Sequence, residues 1–471
     1  MLRGMRAAPA LLLALAACTP AASAAGPTSA TPTPALRAIY QELVEIDTSQ
    51  SVGDTAKAAK AMGARLTAAG IPAADVHVFE TGPKRGDLVA RLRGTGKRKP
   101  LLLMAHIDVV EARREDWTTE PFKLVEKDGY YYARGSGDDK AMASQWVALF
   151  AKLAQERYKP DRDLILLLEC DEEISDEHGF GITWIIKNHR DLIDAEFAIN
   201  EGAGVGLKDG KPVYNGIQTT EKLYQSFWLE VRNAGGHSSQ PRNKDNAIYQ
   251  LADALGRLEN FAFPFELNET TRGYFQKLAQ TEKGPLAADM RSAGSPKPDP
   301  AAIDRLSVLP FYNAQLRTTC VATRLEGGHA DNALPQLARA GVNCRILPGH
   351  SVDEVQQTLA KVLAEPKLVI TPIGHDDPSA PSPIAKELFG TIEKLTAKYW
   401  PGTPVVPMMS AGATDGRFLR NIGIPTYGHS GLASDITDNR AHGKDERVNV
   451  KAFADEERYL YELVKALAGG K

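Results

Sequence analysis

The chain has 471 residues, of which 43% are hydrophobic and 24% are charged, as is usual for a globular protein of roughly two or three domains. Its 56 basic and 59 acidic residues give a formal net charge of -3, which excludes the strongly basic surface of a nucleic-acid-binding protein. Four cysteines in a chain of this length exclude a disulfide scaffold.

The N-terminal segment Met1–Ala25 is typical of a secretion signal. Its apolar run Leu11–Ala17 is too short to cross a bilayer. Two cleavage sites stay open: Ala22–Ala24 fits ordinary secretion, whereas Cys18 fits a bacterial lipobox and would carry a lipid anchor. Both predict an exported protein, either periplasmic or secreted, whose only membrane contact would be that anchor. Residues 26–35 are predicted to form a disordered linker.

Strand and helix patterns alternate after this linker. Apolar runs predict strands, and amphipathic spacing predicts helices. The helices are predicted over Leu36–Ile46, Asp54–Ala69, Lys140–Tyr158 and Gly181–Asn188, and the strands over Leu101–Ala105, Leu164–Leu168 and Ala195–Asn200. Wholly apolar strands are expected to be covered on both faces. The pattern therefore predicts an α/β domain with a mostly parallel sheet.

The pattern changes near Lys222 to that of an α+β unit, with two helices on an antiparallel sheet. Its strands are predicted over Tyr224–Arg232, Thr318–Thr323, Gly341–Ile346 and Lys367–Pro372, and its helices over Asn246–Leu258 and Val352–Leu363. Asn260–Ser307 is rich in Pro, Gly and charge and is expected to be irregular. Cys320 and Cys344 are able to pair in an exported protein, but the sequence leaves this open.

The first pattern returns after a predicted hinge at Asp376–Pro383. A helix is predicted over Ile384–Tyr399 and a strand over Ile424–Tyr427. We therefore predict a first domain formed by residues 36–221 and 379–471, with a second domain inserted over residues 222–378.

Acidic residues and histidines follow three of the buried strands. His106 and Asp108 follow the first, Glu172 and Glu173 follow the second, and Glu201 follows the third. Because the carboxyl ends of parallel strands meet at one edge of a sheet, we expect these side chains to converge.

Imidazole and carboxylate groups together bind zinc, and two close ions that activate a water are typical of hydrolases. Asp108, two residues after His106, is placed to orient its ring. Each motif alone is weak: Asp138-Asp139, for example, is also a plausible helix N-cap. Their joint placement after apolar strands favours a two-metal hydrolase.

An ordered set of motifs runs through the chain. These are MAHIDVV (Met104–Val110), RGSGDDKA (Arg134–Ala141), DEEISDEHG (Asp171–Gly179), NEGAG (Asn200–Gly204), GGHSSQP (Gly235–Pro241), GGHADNALP (Gly327–Pro335), SAGATDGRF (Ser410–Phe418) and AHGKDERV (Ala441–Val448). With them, the sequence from about Leu36 to Ala468 resembles metallopeptidase family 20. These di-zinc exopeptidases and aminoacylases include carboxypeptidase S, glutamate carboxypeptidase and succinyl-diaminopimelate desuccinylase.

The resemblance implies a centre with two zinc ions. His106 and Glu201 would bind one ion, Glu173 and His442 the other, and Asp138 would bridge them. Cobalt and manganese remain alternatives, because these ligand types do not fix the metal.

The resemblance also implies that Glu172 is the general base, that Asp108 orients His106, and that the peptide bond after Asp138 is cis. The inserted domain is similar to the family's lid and dimerisation domain. There His237 would donate a hydrogen bond to the substrate carbonyl, often across a dimer interface. The long lid leaves monomer and homodimer both open.

Five further residues match the family's substrate-binding positions: Asn332, Arg345, Gly412, Thr414 and Asp415. An Arg suits a substrate carboxylate because its planar guanidinium binds both oxygens. One departure is Ala141, which replaces the family's usual Gly at a helix start.

The resulting hypothesis is an exported zinc-dependent exopeptidase, a dipeptidase or carboxypeptidase, acting on short peptides or N-acyl amino acids. An N-acyl or N-carbamoyl amino-acid amidohydrolase of the same fold is the alternative. A lipid-anchored binding protein without catalysis is a third hypothesis.

Overall fold

A computed structural model of the chain describes residues 31–173, 179–374 and 378–470. The predicted signal segment and Cys18 lie outside these residues, as do positions 174–178 of the DEEISDEHG motif and part of the predicted hinge. The prediction of a disordered linker through residue 35 is wrong at its end. A helix starts at Pro34, capped by the Thr33 side chain, and Thr33 bonds Glu457 near the C-terminus.

In the described residues, the helices are α1 (Pro34–Val44), α2 (Thr55–Ala68), α3 (Lys140–Gln155), α4 (Gly181–Ile193), α5 (Ala247–Glu259), α6 (Glu269–Leu278), α7 (Gly284–Ala293), α8 (Pro300–Ser307), α9 (Pro310–Leu316), α10 (Val352–Leu363), α11 (Lys386–Tyr399), α12 (Gly416–Asn421) and α13 (Val450–Ala468). None of these described helices combines the length and apolarity needed to cross a bilayer.

The strands of the same residues are β1 (Val76–Gly82), β2 (Arg85–Leu92), β3 (Leu101–His106), β4 (Val125–Lys127), β5 (Tyr130–Tyr132), β6 (Leu164–Glu169), β7 (Phe197–Asn200), β8 (Val205–Lys208), β9 (Lys211–Glu221), β10 (Leu223–Arg232), β11 (Gly236–His237), β12 (Thr319–Gly327), β13 (Ala333–Leu334), β14 (Leu337–Ile346), β15 (Leu368–Ile373), β16 (Val405–Ser410), β17 (Thr426–Gly428), β18 (Ala433–Asp435) and β19 (Arg447–Asn449).

The large sheet has the strand order β1-β2-β6-β3-β7-β17-β9-β8-β18, with β16 paired to β9. Its central strands β6, β3, β7 and β17 are parallel. Successive side chains of β3 point to opposite faces, so Leu103 packs with α2, α3 and α13, while Leu102 and Met104 pack with α4 and α12. The predicted α/β fold with a mostly parallel core is confirmed.

The second structural unit, named the lid below after its predicted role, consists of the antiparallel sheet β12-β14-β10-β15 and the helices α5 and α10. Alternate residues of β10, among them Phe227 and Leu229, share a core with Leu251 of α5 and Leu359 of α10. Helix α10 spans the predicted residues, and Ser351 starts it with a capping box. The predicted antiparallel unit with two helices is confirmed.

The prediction that Asn260–Ser307 is irregular is wrong, because this segment contains helices α6, α7 and α8. Their core includes Tyr274, Phe275 and Val406, so they pack on β16 of the large sheet rather than on the lid. The segment that was predicted as one insertion over residues 222–378 is therefore divided between the lid and the domain of the large sheet.

The chain passes several times between the domain of the large sheet and the lid, and three of these connecting segments are hydrogen-bonded to one another. Lys222, between β9 and β10, is fully buried and donates from Nζ to the carbonyl of Arg317 at 2.6 Å. Arg317 in turn donates from its guanidinium to the carbonyl of Phe263 at 3.0 Å. Burial lowers the pKa of Lys222 to about 7. These hydrogen bonds lie where the chain passes between the large sheet and the lid.

A disulfide joins Cys320 of β12 to Cys344 of β14, which lie directly opposite each other in the lid sheet. We expect Cys320→Ser/Cys344→Ser to lower the free energy of unfolding of the lid by about 3 kcal/mol, because the open loop adds entropy to the unfolded chain. Denaturant unfolding of the double variant and of the wild type with reductant measures this. An unfolding curve unchanged by both treatments would contradict the prediction.

Candidate metal centre

The predicted ligands gather at the carboxyl edge of the parallel strands. His106 ends β3, Glu172 and Glu173 follow β6, and Glu201 follows β7. Because these three strands are adjacent and parallel, their ends meet. Two loops complete the group, the loop before α3 and the loop before β19. They contribute Asp138 and His442.

Asp138 lies at the middle of this group. Its Oδ1 is 3.1 Å from Nε2 of His106, and its Oδ2 is 3.3 Å from Nε2 of His442. Nε2 of His442 also lies 2.9 Å from a Glu173 oxygen. The peptide bond between Asp138 and Asp139 is cis. One carboxylate thus presents a separate oxygen to each of two imidazoles.

The donor atoms form overlapping sets. Within each set they lie no more than 4.8 Å apart, and the sets are His106 with Asp138 and Glu201, His106 with Glu172 and Glu173, and Asp138 with Glu173 and His442. His106 and Asp138 share one set with Glu201, and Asp138 shares another with His442. These two sets, which share Asp138, fit two neighbouring cation positions joined by a carboxylate.

Asp108 connects the histidine to the two glutamates. The ring nitrogen Nδ1 of His106 lies 3.1 Å from the Asp108 carbonyl and 3.5 Å from its carboxylate. The same carboxylate accepts the backbone N–H groups of Glu172 and Glu173, at 3.2 and 3.0 Å. Asp108 is fully buried, so it fixes both the ring and the start of the glutamate pair.

The electrostatics of the group fit cations. Burial and the charge of Glu201 raise the pKa of Glu172 well above its usual range, and burial also raises that of Glu201. Hydrogen bonds to Asp138 and Glu173 raise the pKa of His442 to about 10. Buried carboxylates thus outnumber the positive charges available to them.

The donor chemistry is consistent with this. Two imidazoles and several carboxylates are ligands that zinc, cobalt and manganese accept. The residues present therefore fit a two-metal centre, although they do not identify the metal.

The lid residues lie in two places. His237 pairs in β11 with β13, and Asn332 lies next to it, since its carbonyl accepts the N–H of Ser238 at 3.0 Å. Both side chains are exposed. Arg345 lies at the other end of the lid sheet, where its guanidinium stacks 4.5 Å from the ring centre of Tyr224.

The loop after β16 carries the remaining substrate candidates. The N–H of Gly412 donates to Ser410, and the hydroxyl of Thr414 donates to Glu221 at 2.8 Å. Asp415 is buried beside Glu169, and burial raises its pKa to about 6. The Thr414 side chain thus holds the loop against β9, while Gly412 is exposed.

A buried ion pair at 2.8 Å joins Glu446 to Arg134 beside the predicted ligands Asp138 and His442, and the sequence did not single it out. Arg134 lies in the motif RGSGDDKA and Glu446 in the motif AHGKDERV, yet neither motif indicates that the two residues are in contact. Only the folded chain brings together residues that are 312 positions apart.

The model of peptidase family M20/M25/M40 matches residues 102–466. The chain is 30% identical to the N-fatty-acyl-amino acid synthase/hydrolase PM20D1 of Homo sapiens, over 78% of this chain and 74% of the human protein. It is 26% identical to carboxypeptidase S of Saccharomyces cerevisiae, over 78% of this chain and 71% of the yeast protein.

Among solved structures, the fold is similar to the M20 family metallo-carboxypeptidase Sso-CP2 from Sulfolobus solfataricus. The TM-score is 0.67 at 18% identity, covering 92% of this chain and 99% of the other.

Proposed function

The chain belongs to peptidase family M20/M25/M40 and is a metal-dependent hydrolase, and from this we propose that it is an exported di-zinc enzyme that hydrolyses the amide bond of short peptides or N-acyl amino acids with a free carboxylate. The observation that carries the proposal is Asp138, whose two oxygens each face a different imidazole.

In this proposal His106 and Glu201 hold one ion, Glu173 and His442 hold the other, and Asp138 is shared. When bound, the ions would polarise the substrate carbonyl and lower the pKa of a water. Glu172, held by Asp108, takes the proton of the attacking water and delivers it to the leaving amine. Asp108 also keeps the His106 ring in one orientation.

The lid would supply the substrate contacts. The exposed ring of His237 would donate to the carbonyl oxygen from a second copy, because within one chain His237 and Arg345 lie at opposite ends of the lid sheet. Arg345 would bind the free carboxylate of the substrate, because its guanidinium is already oriented by the Tyr224 ring. Asn332 and the backbone around Gly412 would hold the remainder of the substrate.

Export is supported by the lid disulfide, since disulfides persist in oxidising compartments. The leader sequence supports the same conclusion, with cleavage after Ala24 or lipidation of Cys18 as its two forms. The names of the relatives favour both substrate classes, because one acts on N-fatty-acyl amino acids and the other is a carboxypeptidase.

A substrate panel tests the proposal. The protein is stripped of metal, reloaded with Zn²⁺, Co²⁺ or Mn²⁺, and assayed on dipeptides, short- and long-chain N-acyl amino acids and N-carbamoyl amino acids. We expect hydrolysis of peptides or N-acyl amino acids, falling at least about tenfold when the substrate carboxyl is amidated, because a charged hydrogen bond to Arg is lost. Hydrolysis of N-carbamoyl substrates alone would favour the alternative. Inactivity of every loaded form on all substrates would overturn the proposal.

A further inference from the structure

Glu446 lies four residues after His442 and is 2% exposed. Its Oε1 accepts the backbone N–H groups of Gly137 and Asp138, at 2.7 and 3.1 Å. Its Oε2 accepts the N–H of Gly135 at 3.0 Å. A single buried carboxylate thus gathers three amides of the loop that carries Asp138.

Arg134 extends this contact to the second loop. Its guanidinium bonds Oε2 of Glu446 at 2.8 Å and also donates to the carbonyl of His442 at 3.3 Å. The guanidinium lies over the ring of Trp117, 5.1 Å from its centre. The Arg134–Glu446 pair therefore joins the loop of Asp138 to the loop of His442.

The loop from Arg134 to Asp139 has no helix or strand to fix its course. A buried N–H without an acceptor costs free energy, so the position of Glu446 determines where these amides settle. Gly135 has φ 75°, and a Cβ there would lie 2.8 Å from Val109. The loop is thus confined on one side by packing and on the other by one carboxylate.

We propose that Glu446 is a positioning residue of the metal centre, which sets the spacing between the two cation positions by holding the loop of Asp138 against the loop of His442. The inference rests on the proposed function, because it assumes that these residues bind two cations. Glu446 accepts only N–H groups in these contacts, so its action passes through Asp138 and His442.

The test uses Glu446→Gln in the full chain. A glutamine has one acceptor oxygen, so part of the four-donor set loses its partner. Metal-free protein is titrated with Co²⁺, followed by its visible absorption, and with Zn²⁺ by calorimetry. We expect wild type to take two equivalents and Glu446→Gln to bind them about 10- to 100-fold more weakly, with a changed cobalt spectrum.

Glu456→Gln is the matched control. Glu456 is also a buried glutamate, but it accepts its hydrogen bond from Gln145 of α3 and belongs to none of the sets of possible cation ligands in the described residues. We expect this variant to bind cobalt as wild type does. Arg134→Lys is a second variant in case Glu446→Gln does not fold. A lysine cannot span both Glu446 and the His442 carbonyl in the same way, so we expect weakened cobalt binding again.

Wild-type affinity and spectrum in Glu446→Gln or Arg134→Lys would overturn the inference, as would equal weakening in Glu456→Gln. A wild type that binds no cation would instead overturn the proposed function. The two failures are therefore separate.

Discussion

Replacing Glu172 with glutamine is expected to lower turnover by about 10²- to 10⁴-fold while both cations stay bound. The glutamine keeps the size of the side chain but cannot accept the proton of the attacking water. Its backbone N–H would still donate to Asp108, so the neighbouring ligand Glu173 keeps its place. The loss should therefore appear in kcat more than in KM.

The measurement combines steady-state kinetics with metal content on the same sample. Glu456→Gln provides a matched control, because it makes the same chemical change at a buried site outside the cluster. Normal turnover by a fully loaded Glu172→Gln variant would show that another group accepts the proton.

Asp138→Asn is expected to reduce bound zinc from two equivalents to at most one and to lower activity roughly a thousandfold or more, since several kcal/mol of transition-state stabilisation depend on the metals. The two oxygens of Asp138 face different imidazoles at 3.1 and 3.3 Å. Asparagine keeps one oxygen and turns an amide group toward the other position.

Chelation provides the comparison for this variant. Wild type should lose activity on chelation and regain it when zinc is restored, whereas Asp138→Asn should stay inactive across the same zinc range. Two tightly bound equivalents in Asp138→Asn would remove the bridging role from this residue.

The large sheet and the convergence of His106, Glu172, Glu173 and Glu201 could be predicted from local pattern. Leu101–Ala105 of β3 and Leu164–Leu168 of β6 are unbroken apolar runs, which are typical of strands that are buried on both faces. Because His106 ends one such strand and Glu201 follows another, their convergence required only the rule for parallel sheets. The predicted ligand roles and the predicted base role of Glu172 came from the family resemblance.

The helices of Asn260–Ser307 could not be predicted in this way. Pro285 and Pro300 resemble helix breakers along the sequence, yet each stands in the first turn of a helix, where proline is well tolerated. The burial of Tyr274 and Phe275 depends on contact with β16, which is distant in the sequence.

The contacts of Glu446 could not be predicted from the sequence either. Its carboxylate accepts hydrogen bonds from backbone amides about 310 positions earlier in the chain. Every residue except proline has a backbone amide, so the sequence does not indicate which of them Glu446 contacts. The pairing of Cys320 with Cys344 stayed open for the same reason, since it depends on the register of β12 against β14.

The division of the inserted segment has a mechanical consequence for the lid. The chain enters the lid after Glu221, leaves it after Phe263, enters again after Arg317 and is back at the large sheet by Ser382, whose N–H bonds Thr219. A domain joined to its neighbour by two chain segments is able to rotate about them. The lid has more connections than that, and three of them are hydrogen-bonded through Lys222 and Arg317, so the junction resists torsion. A single cut in one connection would therefore leave the lid attached through the others.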